Sequence, residues 1–144
     1  MKPLPRSDQA LVLRTDFSDD AAWRAIRSAI EAPVREPRGR IDFFAYVTFV
    51  DEPDYRDLDT TQIRNLFGPE SNQSFVIVVD RTAIAQPEHP VLILDLFEPS
   101  SQTFRALPST VQAIENNLSI ANMDFEEFAG AVDEDGVFRG FPSI

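Results

Sequence analysis

The stretch FVIVVDRTAIAQPEHPVLILDLF, residues 75–97, carries two apolar runs that indicate the fold class of this 144-residue chain. Residues 75–79 are all apolar, and residues 91–97 are apolar except for Asp95. Continuous apolar runs of this length are typical of central strands that have helices on both faces of a sheet. Both runs are therefore predicted to be buried strands of an α/β sheet, with one short helical turn between them.

Two further segments are predicted as strands of the same sheet. Residues 103–107, TFRAL, alternate apolar and polar side chains, which is typical of a strand nearer an edge. The link before them, EPSSQ, has hairpin length, so this strand is predicted to be antiparallel to residues 91–97. Residues 41–50, IDFFAYVTFV, are apolar at both alternating positions and are predicted as one strand covered on both faces.

The N-terminal part is predicted to form a strand followed by a helix. LVLRTDF, residues 11–17, alternates apolar residues as a first strand does. The helix is amphipathic because Trp23, Ile26 and Ile30 recur at helical spacing. Its predicted cap is Asp16 or Ser18.

Three later helix starts carry the capping-box pattern, in which an acid or serine precedes a glutamate or glutamine by three positions. They are Asp59 with Gln62, Ser109 with Gln112, and Asp124 with Glu127. The D-x-D-G string ending at Gly136 lacks the first acid and the final glutamate of a calcium-binding EF-hand loop. It is predicted to be a tight turn, after which VFRGF returns as an edge strand or a packed tail.

The order of these elements predicts a single three-layer α/β domain over residues 1–144. Its sheet is expected to be mixed and mainly parallel, with about five strands flanked by three to four helices. Residues 1–10 are expected to form a flexible N-terminal arm. The apolar runs are too short to cross a bilayer and no secretory signal is visible, so a cytoplasmic location is expected.

The formal net charge is −11, and most of it lies in the second half of the chain. Residues 73–144 hold three arginines and eleven Asp or Glu residues, a net of −8. A field of this sign repels nucleic acid and anionic membranes, so neither is a predicted partner, whereas a basic protein would be attracted. The same charge could serve only to keep the protein dissolved. The oligomeric state is left open.

The residues of the common catalytic and cofactor motifs are missing. The chain has no cysteine and one histidine, His89, which no G-x-S-x-G motif accompanies. Its five glycines form no phosphate-binding pattern, and its single lysine is at position 2. The sequence therefore predicts no catalytic residue, no cofactor and no metal.

Aspartates near the ends of the predicted strands give the alternative hypothesis. The carboxyl edge of an α/β sheet is where ligands bind, and carboxylates gathered there could hold Mg²⁺ for a metal-dependent hydrolase or phosphotransfer protein. Asp95 would be partly buried and would then need a partner, for which Arg81 or Arg105 is expected. The other interpretation is that these residues end strands and cap turns. The four aspartates are Asp16, Asp51, Asp80 and Asp95.

Several stretches resemble the pattern of a bacterial family of small domains of unknown function. The most distinctive is the C-terminal signature ENNLSIANMDFEEFA followed by VDEDGVFRGF, residues 115–141. TDFSDDAAW near the N-terminus and the pair VVDR and HPVLILDL also fit that pattern. The resemblance implies an uncharacterised cytoplasmic bacterial protein and brings no assigned activity, cofactor or catalytic residue.

The function predicted from these features is that of a non-catalytic protein-interaction module. One concrete form is an immunity or antitoxin-like protein that binds a basic partner, since acidic steering speeds such association. The amide-rich link ENNLSIAN has more hydrogen-bonding capacity than one connection needs, although its amides could instead tie down an irregular link between two helices. The candidate contact residues are Asn116, Asn117, Asn122, Asp124, Glu126 and Glu127.

Overall fold

The computed structural model describes residues 3–35, 39, 41–97 and 102–141. The strands in chain order are β1 (Ala10–Arg14), β2 (Val34–Arg35), β3 (Asp42–Phe43), β4 (Val47–Val50), β5 (Phe75–Val79), β6 (Val91–Asp95), β7 (Thr103–Ala106) and β8 (Val137–Phe138). The α-helices are α1 (Asp20–Glu31), α2 (Thr60–Arg64), α3 (Arg81–Ala85), α4 (Val111–Leu118) and α5 (Phe125–Ala129), with 3-10 turns at Pro53–Tyr55 and Pro108–Thr110.

Six strands form one mixed sheet in the order β4-β1-β5-β6-β7-β8, and β2 and β3 form a separate hairpin. The pairs β4–β1, β1–β5 and β7–β8 are parallel. β6 is antiparallel to both of its neighbours. The predicted mixed, mainly parallel sheet is confirmed, as is the hairpin of β6 with β7. The sixth strand is β8, which returns after the D-x-D-G turn to the edge next to β7.

Two apolar clusters, one on each face of the sheet, give the domain its three layers. The first packs α1, α3, α4 and α5 against one face and includes Trp23, Ile77, Ile93, Ile114 and Phe128, all at most 4% exposed. Four phenylalanines extend it between β7 and the C-terminal segment, with ring centroids 5.0–6.5 Å apart. They are Phe104, Phe125, Phe128 and Phe138.

The opposite face is covered by the chain between β4 and β5. Tyr55 and Ile63 from this segment pack on Leu13, Val78 and Leu94 of the sheet. Because β5 and β6 are covered on both faces, every residue in both strands is buried. This double burial is the physical reason for the continuous apolar runs in residues 75–79 and 91–94.

The expectation that residues 41–50 form one strand covered on both faces is wrong. The segment divides into β3 and β4, with a non-strand stretch between them. Ile41, Phe43, Phe44 and Tyr46 are 41–59% exposed. Among the described strands, β4 forms the edge of the sheet and pairs only with β1, so apolar character here does not indicate burial.

The predicted helix starts are confirmed in part. Capping boxes are present at Asp59 with Gln62 and at Asp124 with Glu127. No side-chain cap is formed at the start of α4, because the 3-10 turn at Pro108–Thr110 leads directly into it. The cap of α1 is Asp19, whose side chain accepts a hydrogen bond from the Ala22 amide. Asp16 and Ser18, the expected caps, instead bond to each other.

Residues 3–9, the described part of the predicted N-terminal arm before β1, make specific contacts, and residues 1 and 2 lie outside the described ranges. The side-chain amide of Gln73 donates to the carbonyls of Ser7 and Gln9, at 2.9 and 3.0 Å. Ser7 also bonds to Thr48 of β4, and Leu4 packs against the second apolar cluster. Among the described helices, none has both the length and the apolar character that crossing a bilayer requires.

Candidate interaction surface

The link between α4 and α5 is tied together by its own amide side chains. Asn117 donates to the carbonyl of Ala113, and Asn122 donates to the side-chain oxygen of Asn117 at 2.8 Å. The backbone amide of Asn122 also donates to the Asn117 carbonyl. These bonds hold Ala121 in a left-handed conformation, with φ of 55°, which a non-glycine residue adopts only when its surroundings require it.

Asn116 and Glu115 connect α4 to the exposed aromatic segment before β4. Glu115 is 4% exposed, and its carboxylate accepts from the Tyr46 amide at 2.7 Å and from the Asn116 side chain at 2.8 Å. Asn116 also donates to the Phe44 carbonyl. A buried carboxylate needs such donors, and here they fix the segment against the helix.

The acidic residues at the start of α5 remain on the surface. Asp124 and Glu127 form the reciprocal capping box, in which Glu127 accepts from the Asp124 amide at 3.1 Å. Glu126 accepts from the side-chain amide of Gln102 at 3.1 Å. All three acids are exposed, and none makes an ion pair among the described residues. Their charges are therefore presented to solvent.

A groove of about 440 Å³ lies beside this acidic turn, and we call it the α5 groove. It contains three carboxylates, those of Asp95, Asp124 and Glu126, and no basic residue lines it in the described part of the chain. The rest of its lining is mostly apolar. The lining residues are Ser74, Phe75, Asp95, Phe97, Leu118, Ala121, Met123, Asp124, Phe125 and Glu126.

Asp95 enters the α5 groove because of its position on β6. Side chains of a strand alternate between the two faces, so Asp95 shares its face with Ile93 and lies opposite Phe75 of β5. The residue is 7% exposed, and one carboxylate oxygen accepts from the Phe97 amide at 3.0 Å. Arg64 reaches only the backbone carbonyl of Asp95, at 3.4 Å.

The other three strand-end aspartates lie at the opposite edge of the sheet from Asp95. Asp16, Asp51 and Asp80 follow β1, β4 and β5, which are parallel, so their carboxyl ends share one edge. β6 runs the other way, and Asp95 at its end is therefore separated from them. The predicted four-aspartate cluster does not form. In the described ranges, no group of three or more His, Asp or Glu side chains is placed to hold a metal ion.

Arg14 occupies the crevice between β1 and β4 at the carboxyl edge. The chain leaves β1 for one face of the sheet and β4 for the other, and such a switch point is where α/β sheets commonly bind ligands. The Arg14 guanidinium donates to Asp51 at 3.2 Å and to Asp20 at 2.6 Å, and its side chain is 4% exposed. It also lies 4.3 Å from the centroid of the Phe17 ring.

Asp16 and Asp80 at the same edge have structural partners. Burial disfavours the charged form of Asp16, but hydrogen bonds from the Ser18 hydroxyl and amide, together with the charges of Arg81 and Arg14, outweigh it and lower the pKa of Asp16. Asp80 caps α3 and receives two hydrogen bonds from Arg105. Arg81 or Arg105 was expected to pair with Asp95, and neither does so among the ion pairs of the described residues. That expectation is wrong because Arg105 lies opposite Leu92, three residues away from Asp95 along β6.

Residues 9–141 match the family described as a domain of unknown function, DUF6924. The chain belongs to the DUF6924 family. The match includes every strand of the sheet and the α5 groove of this DUF6924 chain. It confirms the resemblance to a family of domains of unknown function, and that description contains no activity. A search of the curated proteins finds no match.

Two acids of the D-x-D-G turn and one acid from the loop before β6 surround Arg139 in the DUF6924 chain. Its guanidinium contacts Glu88, Asp133 and Asp135 at 2.7–2.8 Å. Hydrogen bonds from Arg139 lower the pKa of Glu88 and of Asp135, and the three acids together raise the pKa of Arg139. The D-x-D-G string is a turn, as predicted: the Gly136 amide donates to the Asp133 carbonyl, and Gly136 has φ of 81°.

Two buried charged residues of the DUF6924 chain were missed by sequence reasoning. Arg14 lies within an apolar strand pattern, and its position directly before T-D-F-S-D-D was the available signal. Glu115 has no comparable signal, because its role depends on the distant Tyr46 amide. The predicted candidate Asn116 bonds to Glu115, and Asn117 bonds instead to Ala113 and Asn122 within the link. Asp124 and Glu126 line the α5 groove.

Proposed function

We propose that this protein is a non-catalytic interaction module that binds a basic protein partner through the acidic turn at the start of α5 and the adjoining α5 groove. The supporting observation is that the groove combines three carboxylates with apolar lining and has no basic residue among its described lining residues. Charge complementarity of this kind selects a partner rich in arginine or lysine and repels acidic ones.

The chemistry of the surface is suited to binding a protein. Exposed acids at Asp124, Glu126 and Glu127 provide long-range attraction and a polar rim. Phe97, at 71% exposure, adds apolar surface to the groove, and Ile120, at 73%, directly precedes the lining residue Ala121 in the chain. Water-excluded apolar contact strengthens the charged pairs that form beside it.

The proposal includes the more specific role of an immunity or antitoxin-like protein that neutralises a basic toxin such as a nuclease. The overall charge of −11 supports this role because acidic steering raises the association rate with a basic target. The hypothesis of a metal-dependent hydrolase or phosphotransfer protein has less support. Asp51 and Asp80 are engaged by Arg14 and Arg105, and Asp95 lies at the other edge.

The test is a pulldown at low salt from a lysate of the organism that encodes the protein, using three baits. The first is the wild type. The second, the neutral variant, carries Asp124→Asn, Glu126→Gln and Glu127→Gln, changes that keep the capping hydrogen bonds possible. The third, the matched control variant, carries Asp8→Asn, Glu70→Gln and Glu134→Gln, three exposed acids away from the groove.

Both variants remove three negative charges, so overall charge cannot explain a difference between them. We expect the wild type and the control variant to retain one basic protein. The neutral variant should not retain that protein. Retention of the same protein by all three baits, or of no protein by the wild type, would count against it.

A further inference from the structure

We propose that the α5 groove is an arginine-binding site, in which one arginine side chain of the partner pairs with Asp95. This inference rests on the proposed function and names the chemical group that the groove recognises. The supporting observation is that one carboxylate, that of Asp95, is nearly buried in a groove whose other lining residues are mostly apolar. The surface acids alone would not define such a site, because they could attract any cation.

Within the described part of the chain, the second carboxylate oxygen of Asp95 accepts no hydrogen bond. One of its oxygens accepts a single hydrogen bond from the Phe97 amide, and the residue is 7% exposed. Among the described residues, no cationic side chain pairs with the Asp95 carboxylate. Arg64 contacts Asp95 at the backbone carbonyl and not at the carboxylate. A carboxylate this buried is stabilised by further donors, and a ligand in the groove can supply them.

The groove lining distinguishes arginine from other cations. Leu118 and Met123 offer apolar contact to the aliphatic stem of a long side chain, and the exposed Phe97 ring offers a face on which a planar guanidinium can stack. Glu126 at the rim supplies a second acceptor. The lysine ammonium group is not planar. It therefore cannot donate to two carboxylates and stack on an aromatic ring at the same time, as a guanidinium can.

The arrangement is unsuited to a bare metal ion. Asp95, Asp124 and Glu126 line one groove but do not converge as a set of ligands, and no metal-holding group of acids occurs in the described residues. A divalent cation needs several oxygens within about 2.0–2.6 Å, whereas an extended guanidinium can bridge acceptors that lie farther apart.

The test is a two-dimensional ¹H–¹⁵N NMR titration of the full chain with N-acetyl-arginine-N-methylamide at low salt. The lysine analogue and the neutral citrulline analogue serve as comparisons. We expect saturable shifts of the Phe97, Met123 and Glu126 amides with the arginine probe. We expect weaker effects with lysine and no saturable shift with citrulline.

The decisive variant is Asp95→Asn, which keeps the shape of the side chain and can still accept from the Phe97 amide. It should weaken binding of the arginine probe about tenfold, as expected for loss of one charge-assisted hydrogen bond. Glu134→Gln removes the same charge away from the groove and should change the affinity by less than about twofold. The spectra themselves report whether each variant is folded.

Three results would overturn the inference: no binding of the arginine probe, equal binding of lysine, or an affinity unchanged by Asp95→Asn. The outcome is separable from that of the proposed function. If the neutral variant loses the basic partner while Asp95→Asn leaves arginine binding intact, the interaction surface stands and the arginine site fails. If the neutral variant keeps the partner, the proposed function itself fails.

Discussion

Arg105 donates two hydrogen bonds to the carboxylate of Asp80, at 3.0 and 2.8 Å, and thereby joins β7 to the end of β5 across the strand between them. The same guanidinium nitrogen that reaches Asp80 Oδ1 also donates to the carbonyl of Pro90, directly before β6. One side chain thus connects three neighbouring strands at the carboxyl edge. Asp80 also caps α3. The residue that suggested a metal ligand in the sequence therefore has two structural roles, as a helix cap and as the partner of Arg105.

A double-mutant cycle with Asp80→Asn and Arg105→Gln tests this pairing. Both side chains are about one-quarter exposed, so solvent weakens the interaction. We expect a coupling free energy of about 1–2 kcal/mol in urea unfolding, typical of a partly buried two-point ion pair. A coupling near zero would mean that the pair does not stabilise the fold.

Replacing Arg14 tests whether its two ion pairs stabilise the folded state. Arg14→Ala removes ion pairs with Asp51 and Asp20 and leaves a cavity beside Phe17, so it should lower the free energy of unfolding by about 2–4 kcal/mol. Arg14→Met, which keeps much of the stem, should cost less. Arg24→Ala on the exposed surface of α1 is the matched control and should cost less than about 0.5 kcal/mol. Equal stability of Arg14→Ala and Arg24→Ala would contradict this account.

The carboxylates whose pKa is lowered in the folded state predict a loss of stability in acid. They stabilise the fold fully above the pKa values of the unfolded chain, and that contribution disappears as the pH falls through the lower folded values. The melting temperature should therefore change little from pH 7 to about 5 and fall below about pH 4. The groups are Asp16, Asp20, Glu88 and Asp135.

Arg139→Gln isolates part of this pH dependence. The variant removes the hydrogen bonds that lower the pKa of Glu88 and Asp135, so its melting temperature should be below that of the wild type at neutral pH. The difference should shrink as the pH falls, because protonated carboxyls gain little from Arg139 in either protein. A difference that stays constant from pH 7 to about pH 2 would show that Arg139 acts only through packing.

The backbone of the D-x-D-G turn gives a further test. Gly136 has φ of 81°, and its surroundings leave open space for a side chain, so any cost of substitution arises from the backbone. Gly136→Ala should destabilise the protein by about 1–2 kcal/mol, and Gly136→Asn by less, because asparagine tolerates the left-handed region. Calorimetric melting would measure both. Equal melting temperatures for wild type and Gly136→Ala would refute the turn assignment.

The elements that could be predicted from sequence are those whose signals are local. The continuous apolar run at residues 75–79 indicates directly that this strand is buried on both faces. The capping box of Asp59 and Gln62 marks the start of a helix within four residues. The D-x-D-G turn is equally local, since the left-handed conformation of Gly136 favours glycine there. These features do not depend on how distant segments pack.

The features that could not be predicted depend on register and strand direction. Arg105 pairs with Asp80 and not with Asp95 because β6 runs antiparallel and places Asp95 at the far edge. The aromatic residues Phe43, Phe44 and Tyr46 look like a covered strand, yet they lie beside the open edge strand β4. The α5 groove combines Asp95 with Asp124 and Glu126. Asp95 is about thirty positions away from both of these acids in the chain.

In the proposed function, the acidic turn at the start of α5 attracts a basic partner. The most direct measurement is the association rate constant of the purified partner, determined by surface plasmon resonance from about 50 mM to about 500 mM salt, where screening becomes strong. The wild type and the control variant should show the same steep fall with salt, and the neutral variant should associate more slowly with a much weaker salt dependence. Equal salt dependence in the neutral and control variants would contradict the account.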